Sequence, residues 1–391
     1  MELSQRITHL TGGGSDGWDV FYKARRMIAD GFPVTELTIG EHDIRTDPAI
    51  LAAMNHAATS GHTGYALVPG IQGLREIVAS RIEERTGVPT TYRNILITPG
   101  GQSALFAAHI AACNPGDRAL FIDPYYATYP GTLRGAGARP VPIPTRAENN
   151  FLPDHDAIAR AARPGAASLL INTPNNPTGT VYGIDTLKEI ARACITHDLW
   201  LISDEVYDTQ VWEGTHISPR ALPGMAERTL VIGSMSKSHA MTGSRIGWIA
   251  GPEHAIDHLV NLATHTTYGV PGFIQDAALF ALSQGPGIEE KIAAPFRRRR
   301  ALAHQILAQQ NSVGLIPAQG AMYLMLDIRA TGLSGEGFAT SLLDTHLIAV
   351  MPGESFGSSA SGHIRVAMTV NDDRFSMALQ TLVDHAARIT T

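Results

Sequence analysis

One lysine of this 391-residue chain lies in a setting that favours chemistry. Only four of the 30 basic side chains are lysines, and three of these four lie in stretches with the pattern of surface helices. Lys237 instead follows an apolar run, in VIGSMSKSHAMTGSRIGW, where small polar residues lead the chain out of a predicted strand. Loops beyond the carboxyl ends of parallel strands are where α/β proteins build their sites. There a desolvated lysine near other cations becomes a nucleophilic amine, suited to form an imine with a carbonyl cofactor. A lysine in an ordinary surface loop is the alternative, and Lys237 alone does not decide between them.

A carboxylate and a phenol follow the preceding predicted strand. Asp204 ends the apolar run LWLISD, and Tyr207 comes three residues later. A carboxylate at the end of a strand can keep a pyridine nitrogen protonated, which makes the ring an electron sink. Tyr207 could donate a hydrogen bond to a phenolic oxygen on the same ring. The alternative is that Asp204 only caps the next turn.

Two further loops contribute polar groups after predicted strands. INTPNNPTGT contains two prolines and a glycine, which forbid regular structure and give a rigid loop that presents the amide of Asn176. In ITPGGQSALF, residues 100–103 lie between a strand and a helix, where backbone N–H groups and the helix dipole can hold a phosphate. The spacing of these glycines matches neither the dinucleotide-binding fingerprint nor a Walker A loop.

Composition and charge exclude several classes of protein. The chain is 44% apolar and 17% charged, as in globular enzymes with an ample core. A net charge of -6 gives no reason to expect nucleic acid or an anionic membrane surface as a partner. The four consecutive arginines at residues 297–300 wrap around a predicted helix rather than form one basic stripe, so a solvated helix explains them. No apolar run is long enough to cross a bilayer.

The two cysteines, Cys113 and Cys194, lie in apolar helical stretches and show no spacing typical of metal ligands. We therefore expect two buried, reduced thiols, no metal site and a cytoplasmic location. The first residues, MELSQRITHL, lack the charged start and apolar run of a signal peptide.

Short apolar runs alternate with helical stretches from about residue 70 to residue 285, which predicts an α/β fold with a mostly parallel sheet covered on both faces. After residue 285 a long charged helix, two strand-like segments and a final helix indicate a smaller α+β domain, with which a helix near residues 20–30 could pack. We expect a large domain over residues 48–285 and a smaller domain made of residues 1–47 and 286–391.

The motifs together resemble those of the fold-type-I pyridoxal-phosphate-dependent aminotransferases, class I/II, of the aspartate aminotransferase superfamily. The similarity runs in order through TIGEHDIRTDP, GYALVPGIQGLREIVA, ITPGGQSAL, DPYYATYP, NTPNNPTG, SDEVYD, SMSKSHAMTGSRIGW, GAMYLMLD and HIRVAM. The stretch around Lys237 is highly specific, and NNPTG with SDEVY at the right distance makes coincidence implausible. The resemblance implies a large cofactor domain with a seven-stranded, mostly parallel sheet.

The resemblance also implies roles around pyridoxal 5'-phosphate. Lys237 forms the Schiff base and then moves a proton between the substrate and the cofactor. Asp204 pairs with the pyridinium nitrogen, Tyr207 and Asn176 hydrogen-bond the phenolic oxygen, and Tyr126 stacks on the ring.

Further roles concern the phosphate and the substrate. The residues implied in phosphate binding are Gly101, Gln102, Ser234 and Arg245. Tyr65 reaches the phosphate from the neighbouring subunit, which implies a homodimer with shared active sites. Arg365 grips the α-carboxylate of the substrate with its planar fork, a task to which lysine is poorly matched. Asn176 also borders the substrate, and Gly40 leaves it room.

Three positions depart from the pattern of many relatives. The first turn reads GEHD rather than GEPD, Met322 replaces a common aromatic in GAMY, and Trp18 lies where the N-terminal arm approaches the substrate. We expect all three to affect substrate specificity and none to touch the cofactor residues. No second arginine is evident for a dicarboxylate substrate.

The sequence favours an amino-acid aminotransferase that moves an amino group from an L-amino acid to a 2-oxo acid. A carbon–sulfur β-lyase or a carbon–carbon bond-forming enzyme on the same fold is the alternative, because the cofactor supplies the chemistry in each case. A non-enzymatic cofactor-sensing domain is disfavoured, because no DNA-binding module precedes the matched motifs and the net charge is negative.

Overall fold

The computed structural model describes residues 1–14 and 17–390. In chain order its strands are β1 (Thr35–Glu36), β2 (Ile95–Thr98), β3 (Arg118–Asp123), β4 (Arg139–Pro144), β5 (Ala166–Asn172), β6 (Trp200–Asp204), β7 (Thr229–Ser234), β8 (Gly247–Ala250), β9 (Gly314–Leu315), β10 (Tyr323–Asp327), β11 (Ile348–Ala349), β12 (Met351–Pro352) and β13 (His363–Ala367). The α-helices are α1 (Gln5–Thr8), α2 (Asp19–Ala29), α3 (Pro48–Thr59), α4 (Gln72–Thr86), α5 (Gly101–Ala112), α6 (Tyr129–Gly135), α7 (His155–Ala161), α8 (Ile184–Thr196), α9 (Met235–Ser238), α10 (Glu253–Thr264), α11 (Gly272–Ser283), α12 (Gly287–Leu307), α13 (Gly335–His346) and α14 (Asp372–Thr390).

A seven-stranded sheet forms the centre of the larger domain, in the order β2-β8-β7-β6-β5-β3-β4. The five strands from β7 to β4 run parallel, whereas β8 is antiparallel to both of its neighbours. This confirms the mostly parallel sheet that the alternation of apolar runs and helices predicts. Every residue of β7 and all but the first residue of β6 are buried, as expected of strands covered on both faces.

Helices cover both faces because successive side chains of each strand point to opposite sides. On one side Leu170 packs with Phe121 against α5 and α10. On the other side Leu169 and Ile171 pack against α7 and α8, and further along the sheet α4 and α11 cover Val231. Each face therefore has its own apolar core.

The edge strand β4 was not predicted. Its sequence RPVPIP carries prolines at 140, 142 and 144, and proline in a strand removes a donor from the ladder. The N–H groups of Arg139 and Thr145 donate to the carbonyls of Asp117 and Asp123, next to β3. Since N–H groups alternate in direction along a strand, the prolines occupy the positions whose N–H would point away from the sheet. The strand keeps its bonds to β3 and lacks donors on its outer edge.

The smaller domain contains a four-stranded antiparallel sheet in the order β12-β13-β10-β9 and a separate parallel pair of β1 and β11. Its core includes Phe296 of α12, Phe338 of α13 and Phe375 of α14. Val20 and Ala24 of α2 enter the same core, so the N-terminal helix packs where it was expected to pack. The exact limits of the two domains, residues 48–285 against residues 1–47 with 286–391, stay a prediction.

The topology brings three strand ends together. Asn172 of β5 lies beside Asp204 of β6 in register, and β7 ends next to them at Ser234. Strands β10 and β13 of the smaller sheet face this edge and supply Tyr323 and Arg365. Among the described residues no helix is both long enough and apolar enough to cross a membrane.

Candidate active site

A cavity of about 410 Å³ lies between the carboxyl edge of the large sheet and the smaller sheet. All but one of the predicted site residues line it. They are Trp18, Gly40, Gly101, Gln102, Tyr126, Asn176, Asp204, Tyr207, Ser234, Lys237, Arg245 and Arg365. The exception is Tyr65. Residues from both domains and from twelve separate positions of the chain therefore converge on one space.

Lys237 lies in the single turn of α9, directly after β7. The hydroxyl of Ser234 caps this turn by accepting a hydrogen bond from the Ser236 N–H at 3.1 Å. The Lys237 Nζ donates to the backbone carbonyl of Gly40. Enclosure by protein atoms lowers the pKa of Lys237, and the cations Arg365 and Arg245 lower it further, against the opposing effect of Tyr323. The uncharged amine, which is the nucleophilic form, is thus easier to reach than in an exposed lysine.

Asp204 ends β6 as a buried carboxylate that borders the cavity. The Tyr129 hydroxyl donates to its Oδ2 at 2.6 Å, while the Val206 N–H is 3.4 Å from Oδ1. Burial raises the pKa of Asp204 to about 6. A buried carboxylate with one short hydrogen bond keeps acceptor capacity for a cation in the cavity.

Tyr129 was missed by sequence reasoning. It lies three residues after Tyr126 in DPYYATYP, and the Tyr129 N–H donates to the Tyr126 carbonyl at 2.9 Å, so that this turn places the two ring centres 5.7 Å apart. The three-residue spacing of Tyr126 and Tyr129 was the signal in the sequence that could have indicated a second aromatic residue at the site.

The loop after β5 is fixed to the neighbouring strand. The Asn172 Nδ2 donates to the Asp204 carbonyl at 2.9 Å, and the Asn172 Oδ1 accepts from the Asn176 N–H at 2.7 Å. The Asn176 Oδ1 accepts from the Arg365 Nη1 at 2.8 Å. Asn176 therefore connects the large sheet to the guanidinium from the smaller sheet.

Two phenols meet across the cavity. The hydroxyl oxygens of Tyr207 and Tyr323 are 3.0 Å apart. Tyr323 begins β10, was not predicted as a site residue, and stands so close to Gly40 that a methyl group there would overlap its hydroxyl. Met322, which was expected to affect substrate specificity, is buried in the core of the smaller domain and does not line the cavity. The aromatic wall comes from the next residue along the strand.

The start of α5 lies at one end of the cavity, where its N-terminus could bind an anion. Gly100 has a φ of 80°, and a Cβ at this position would lie 2.6 Å from the Arg245 Nη2. Gly101 begins α5 beside Ser234. The first N–H groups of this helix and the Ser234 hydroxyl therefore face the same space as the Arg245 guanidinium. A helix N-terminus, a hydroxyl and a guanidinium together suit a phosphate.

Gln102 contributes to this end through its position in the first turn of α5. Its side-chain amide is already engaged, because Nε2 donates to the Thr132 hydroxyl at 2.7 Å and Oε1 accepts from the Thr128 hydroxyl at 3.1 Å. Its backbone N–H is thus the group best suited to hold an anion.

Arg365 is almost completely buried on β13. Its guanidinium carbon lies 4.4 Å from the ring centres of both Tyr323 and Phe356. It donates to Asn176 and to the Thr38 carbonyl, and its Nε is buried without a hydrogen-bond partner. Within the described part of the chain no carboxylate forms an ion pair with it, so a buried cation faces the cavity with donors left for an incoming anion.

Trp18 immediately precedes α2 and lines the cavity, with its ring 5.6 Å from that of Phe21. The lysine and arginine side chains of the described cavity lining are Lys237, Arg245 and Arg365. The resemblance assigns each of them to the amine, the phosphate or the α-carboxylate. The described lining therefore contains no further cation for a second substrate carboxylate.

His42 of the GEHD turn contradicts one expectation. The departure from GEPD was expected to leave the cofactor residues untouched, yet the His42 Nε2 lies 2.9 Å from the backbone carbonyl of Lys237. An imidazole reaches this carbonyl because residues 40–42 pass directly over α9.

Tyr65 lies outside the cavity and is 91% exposed. Its ring packs edge-on against that of Tyr268, with the ring centres 5.2 Å apart. Tyr65 does not line the cavity of its own chain, so a role at the phosphate would require the site of another subunit.

Comparison with known proteins agrees with this arrangement. A family model described as aminotransferase class I and II matches residues 33–382. The chain belongs to this family. An arginine–pyruvate transaminase of Pseudomonas aeruginosa is 38% identical over 389 residues, which cover 100% of this chain and 99% of the relative. The aspartate/prephenate aminotransferase of Thermus thermophilus is 34% identical over 364 residues, or 92% of each chain.

Solved structures of class I and II aminotransferases share the whole fold. A double mutant of the Thermus thermophilus aspartate aminotransferase has a TM-score of 0.92 at 32% identity, over 98% of this chain and 100% of that one. A tetra mutant of the same enzyme in complex with tryptophan gives the same score, identity and coverage. This confirms the predicted fold and the predicted activity, amino-acid transamination. The relatives named here are aminotransferases, so the β-lyase alternative gains no support.

Members of this aminotransferase family generally depend on pyridoxal phosphate, and the cavity fits that cofactor. The buried Asp204 carboxylate suits a pyridinium nitrogen, and the α5 end with Arg245 suits a phosphate. The amine of Lys237 lies in the same cavity and can react with an aldehyde. Groups of His, Cys, Asp and Glu that could hold a metal ion are absent from the described residues.

Proposed function

We propose that this aminotransferase holds pyridoxal phosphate on Lys237 and transfers an amino group from an L-amino acid to a 2-oxo acid in the cavity described above. The observation that carries the proposal is that one cavity contains both the Lys237 amine, whose pKa is lowered, and the buried Arg365 guanidinium, which forms no ion pair with a carboxylate of the described residues. When bound, the cofactor supplies an electron sink for the charge that develops on the α-carbon of the amino acid.

The residues around the cofactor position act by electrostatics and hydrogen bonding. Asp204, kept in place by Tyr129, holds the pyridine nitrogen in its protonated form. Tyr207 and Asn176 donate to the phenolic oxygen, and Tyr126 covers one face of the ring. The phosphate is held by Gly101, Gln102, Ser234 and Arg245, with Tyr65 from a second subunit.

The residues around the substrate position orient the amino acid. Arg365 binds its α-carboxylate with two parallel hydrogen bonds, and the rings of Tyr323 and Phe356 keep the guanidinium plane fixed. Gly40 leaves room beside the α-carbon, and Lys237 accepts the α-proton there. Trp18 closes the end of the cavity that receives the substrate side chain. This favours amino donors whose side chain carries no second carboxylate, because such donors need no second cation.

A panel of amino donors against pyruvate and 2-oxoglutarate tests the proposal. The panel includes arginine, aspartate and aromatic amino acids, which appear in the names of the relatives. We expect at least one donor to give its 2-oxo acid in a one-to-one ratio with the aminated acceptor, without free ammonia. Release of ammonia and pyruvate from a sulfur-containing amino acid without any acceptor would instead identify a β-lyase.

Arg365→Lys keeps the charge but loses the two-pronged geometry of the guanidinium. We expect the KM of the amino donor to rise roughly ten- to hundredfold, because a hydrogen bond to a charged group contributes about 1.5–3 kcal/mol. The change in kcat should be smaller, because the carboxylate contact exists in both the ground and the transition state. Steady-state kinetics of the wild type and the variant measure both constants.

Arg192→Lys is the matched control, since Arg192 is exposed and pairs with Glu189 on the surface of α8. It should leave KM unchanged. An unchanged KM in Arg365→Lys would show that another residue holds the carboxylate.

The proposed assembly is a two-fold dimer in which Tyr65 completes the partner's site. Tyr65, Leu67 and Tyr268 form an exposed apolar surface, with 91%, 66% and 54% of each residue exposed. Such surfaces mark interfaces, and an obligate dimer of this kind buries about 2,000 Å² or more. Sedimentation at micromolar concentration should give the mass of a dimer, and a fully active monomer would refute the assembly.

Subunit mixing tests the shared site directly. Tyr65→Glu, whose carboxylate repels the phosphate, and Lys237→Ala should each be nearly inactive. If Tyr65 acts across the interface, a hybrid of the two has one site without a lesion, and activity returns after the variants are mixed and allowed to exchange. If Tyr65 acts within its own chain, every hybrid site carries one lesion and no activity returns. A mixture of wild type and Lys237→Ala sets the scale.

A cytoplasmic location completes the proposal. Cys113 and Cys194 are both buried and form no disulfide. Unlinked thiols are compatible with a reducing compartment.

A further inference from the structure

Residues 38–43 contact the proposed catalytic lysine at both of its ends. The Gly40 carbonyl accepts a hydrogen bond from the Lys237 Nζ, at the tip of the side chain. Two residues later the His42 Nε2 lies 2.9 Å from the backbone carbonyl of Lys237. One short piece of chain therefore contacts both the amine and the backbone of the same residue.

The backbone carbonyl of Lys237 depends on side chains for its hydrogen bonds. The turn α9 ends one residue later, and no backbone N–H of the described residues donates to this carbonyl. Its donors are the His42 Nε2 at 2.9 Å and the Gln210 Nε2 at 3.1 Å. The two donors fix the orientation of the peptide from which the lysine side chain departs.

His42 is suited to be a fixed donor. Its ring is buried and packs edge-on against Phe296, with the ring centres 5.4 Å apart. Burial, aided by Lys237, lowers the pKa of His42 to about 4, so the ring is neutral near pH 7. Its Nδ1 is buried without a partner, and the proton of the neutral ring therefore belongs on Nε2, where it meets the carbonyl.

The smaller domain anchors the segment that carries His42. The two oxygens of Asp43 accept from the Arg299 Nη1 and Nη2 at 2.9 and 2.6 Å. Arg299 is buried on α12 and also donates to the Asp372 carboxylate at the start of α14. At the other end of the segment the Thr38 carbonyl accepts from Arg365. The segment thus connects the carboxylate-binding guanidinium, the amine and the smaller domain.

We propose that His42 is a positioning residue for Lys237, which acts by holding the lysine backbone through its Nε2–H so that Nζ is aimed at the reacting carbon. The proposal rests on the role proposed above for Lys237. It assigns to the histidine of the GEHD turn a function in turnover rather than in substrate selection. The expected consequence is an effect on kcat, because substrate capture belongs to other residues.

Two variants of the holoenzyme separate hydrogen bonding from packing. His42→Leu keeps apolar bulk beside Phe296 and removes the donor, whereas His42→Gln places an amide N–H near the position of Nε2. In His42→Leu we expect kcat to fall about tenfold with the donor KM within about twofold, since small misplacements of a reacting group are costly. His42→Gln should recover most of the loss. The visible circular dichroism of the bound cofactor, which reports its orientation in the site, should change in His42→Leu and return in His42→Gln.

Gln210→Leu removes the second donor to the same carbonyl and keeps His42 intact. It should show the same split, with kcat reduced and KM nearly unchanged, and it serves as the test if His42→Leu does not fold. The positioning role is refuted if His42→Leu keeps both kcat and the dichroism of the wild type. It is also refuted if Leu and Gln at residue 42 lose activity equally, which indicates packing alone. Borohydride labelling on another lysine would be a different result, because it overturns the function proposed for Lys237 itself.

Discussion

Replacing Lys237 with alanine should lower turnover by about ten-thousandfold or more. The variant lacks the amine that holds the cofactor covalently and the base that accepts the α-proton, and each of these functions alone contributes large factors. Cofactor binding should persist in part, because the α5 end of the cavity and Arg245 remain. The expected result is a protein that still takes up pyridoxal phosphate but scarcely turns over.

Borohydride reduction and peptide mapping check the assignment. The wild type should be yellow and carry the reduced cofactor on Lys237, while the variant should carry none. Lys188→Ala is the matched control, because Lys188 is exposed and its nearest charge partner is Asp185 at 3.8 Å. It should keep normal turnover. Label on Lys23, Lys188 or Lys291 would overturn the assignment.

Asp204→Asn should lower turnover by about a thousandfold. The amide retains the shape of the carboxylate and an acceptor for Tyr129, but it cannot keep the pyridine nitrogen protonated, so the electron sink is weakened. The cofactor should still be captured by Lys237, and the loss should therefore appear in kcat. Near-normal turnover would remove this role from Asp204.

The same substitution should stabilise the cofactor-free protein at neutral pH. Burial raises the pKa of Asp204 from its usual 3.8 to about 6, so the folded state is penalised when this group ionises. The penalty is absent below pH 4, grows between pH 4 and 6, and is complete above pH 6, where it amounts to about 3 kcal/mol. Asp204→Asn escapes it, and its gain in unfolding free energy should be present at pH 8 and vanish towards pH 4.

Urea unfolding of the cofactor-free proteins at pH 4.5 and pH 8 measures this gain. Asp185→Asn is the control, because the Asp185 side chain is 95% exposed and its replacement should change stability little at either pH. A variant of Asp204 that is less stable than the wild type at pH 8 would mean that the carboxylate is paired rather than penalised in the folded protein. The Asp204 carboxylate, which the reaction needs, would then not lower the free energy of unfolding.

The sequence predicts many of the residues that line the cavity, because most of them follow strand ends. Asp204 and Lys237 lie where an apolar run gives way to polar residues, and the parallel topology then brings them to one edge. Tyr323 could not be found in this way, since its position beside Tyr207 depends on how the smaller sheet docks. Local patterns carry no information about contacts of that kind.

The sequence predicts neither strand β4 nor the contact of His42 with Lys237, and the physical reasons differ. Three prolines in six residues contradict strand propensity, and only the pairing with β3 makes the segment a strand. The GEHD turn is visible in the sequence as a departure from the pattern of many relatives, but the sequence predicts for it only an effect on specificity. Its contact with the Lys237 carbonyl joins residues 195 positions apart and follows from packing, which no periodicity reveals.

The proline-rich edge strand has a consequence for the behaviour of the protein in concentrated solution. An open sheet edge is a template on which further strands, from other molecules, can add through backbone hydrogen bonds. On β4 the prolines at 140, 142 and 144 remove every second N–H, and these are the ones that would point outward. An incoming strand would find carbonyls but no matching donors over the whole strand. The β4 edge of the larger sheet thus resists the addition of further strands through its own backbone chemistry.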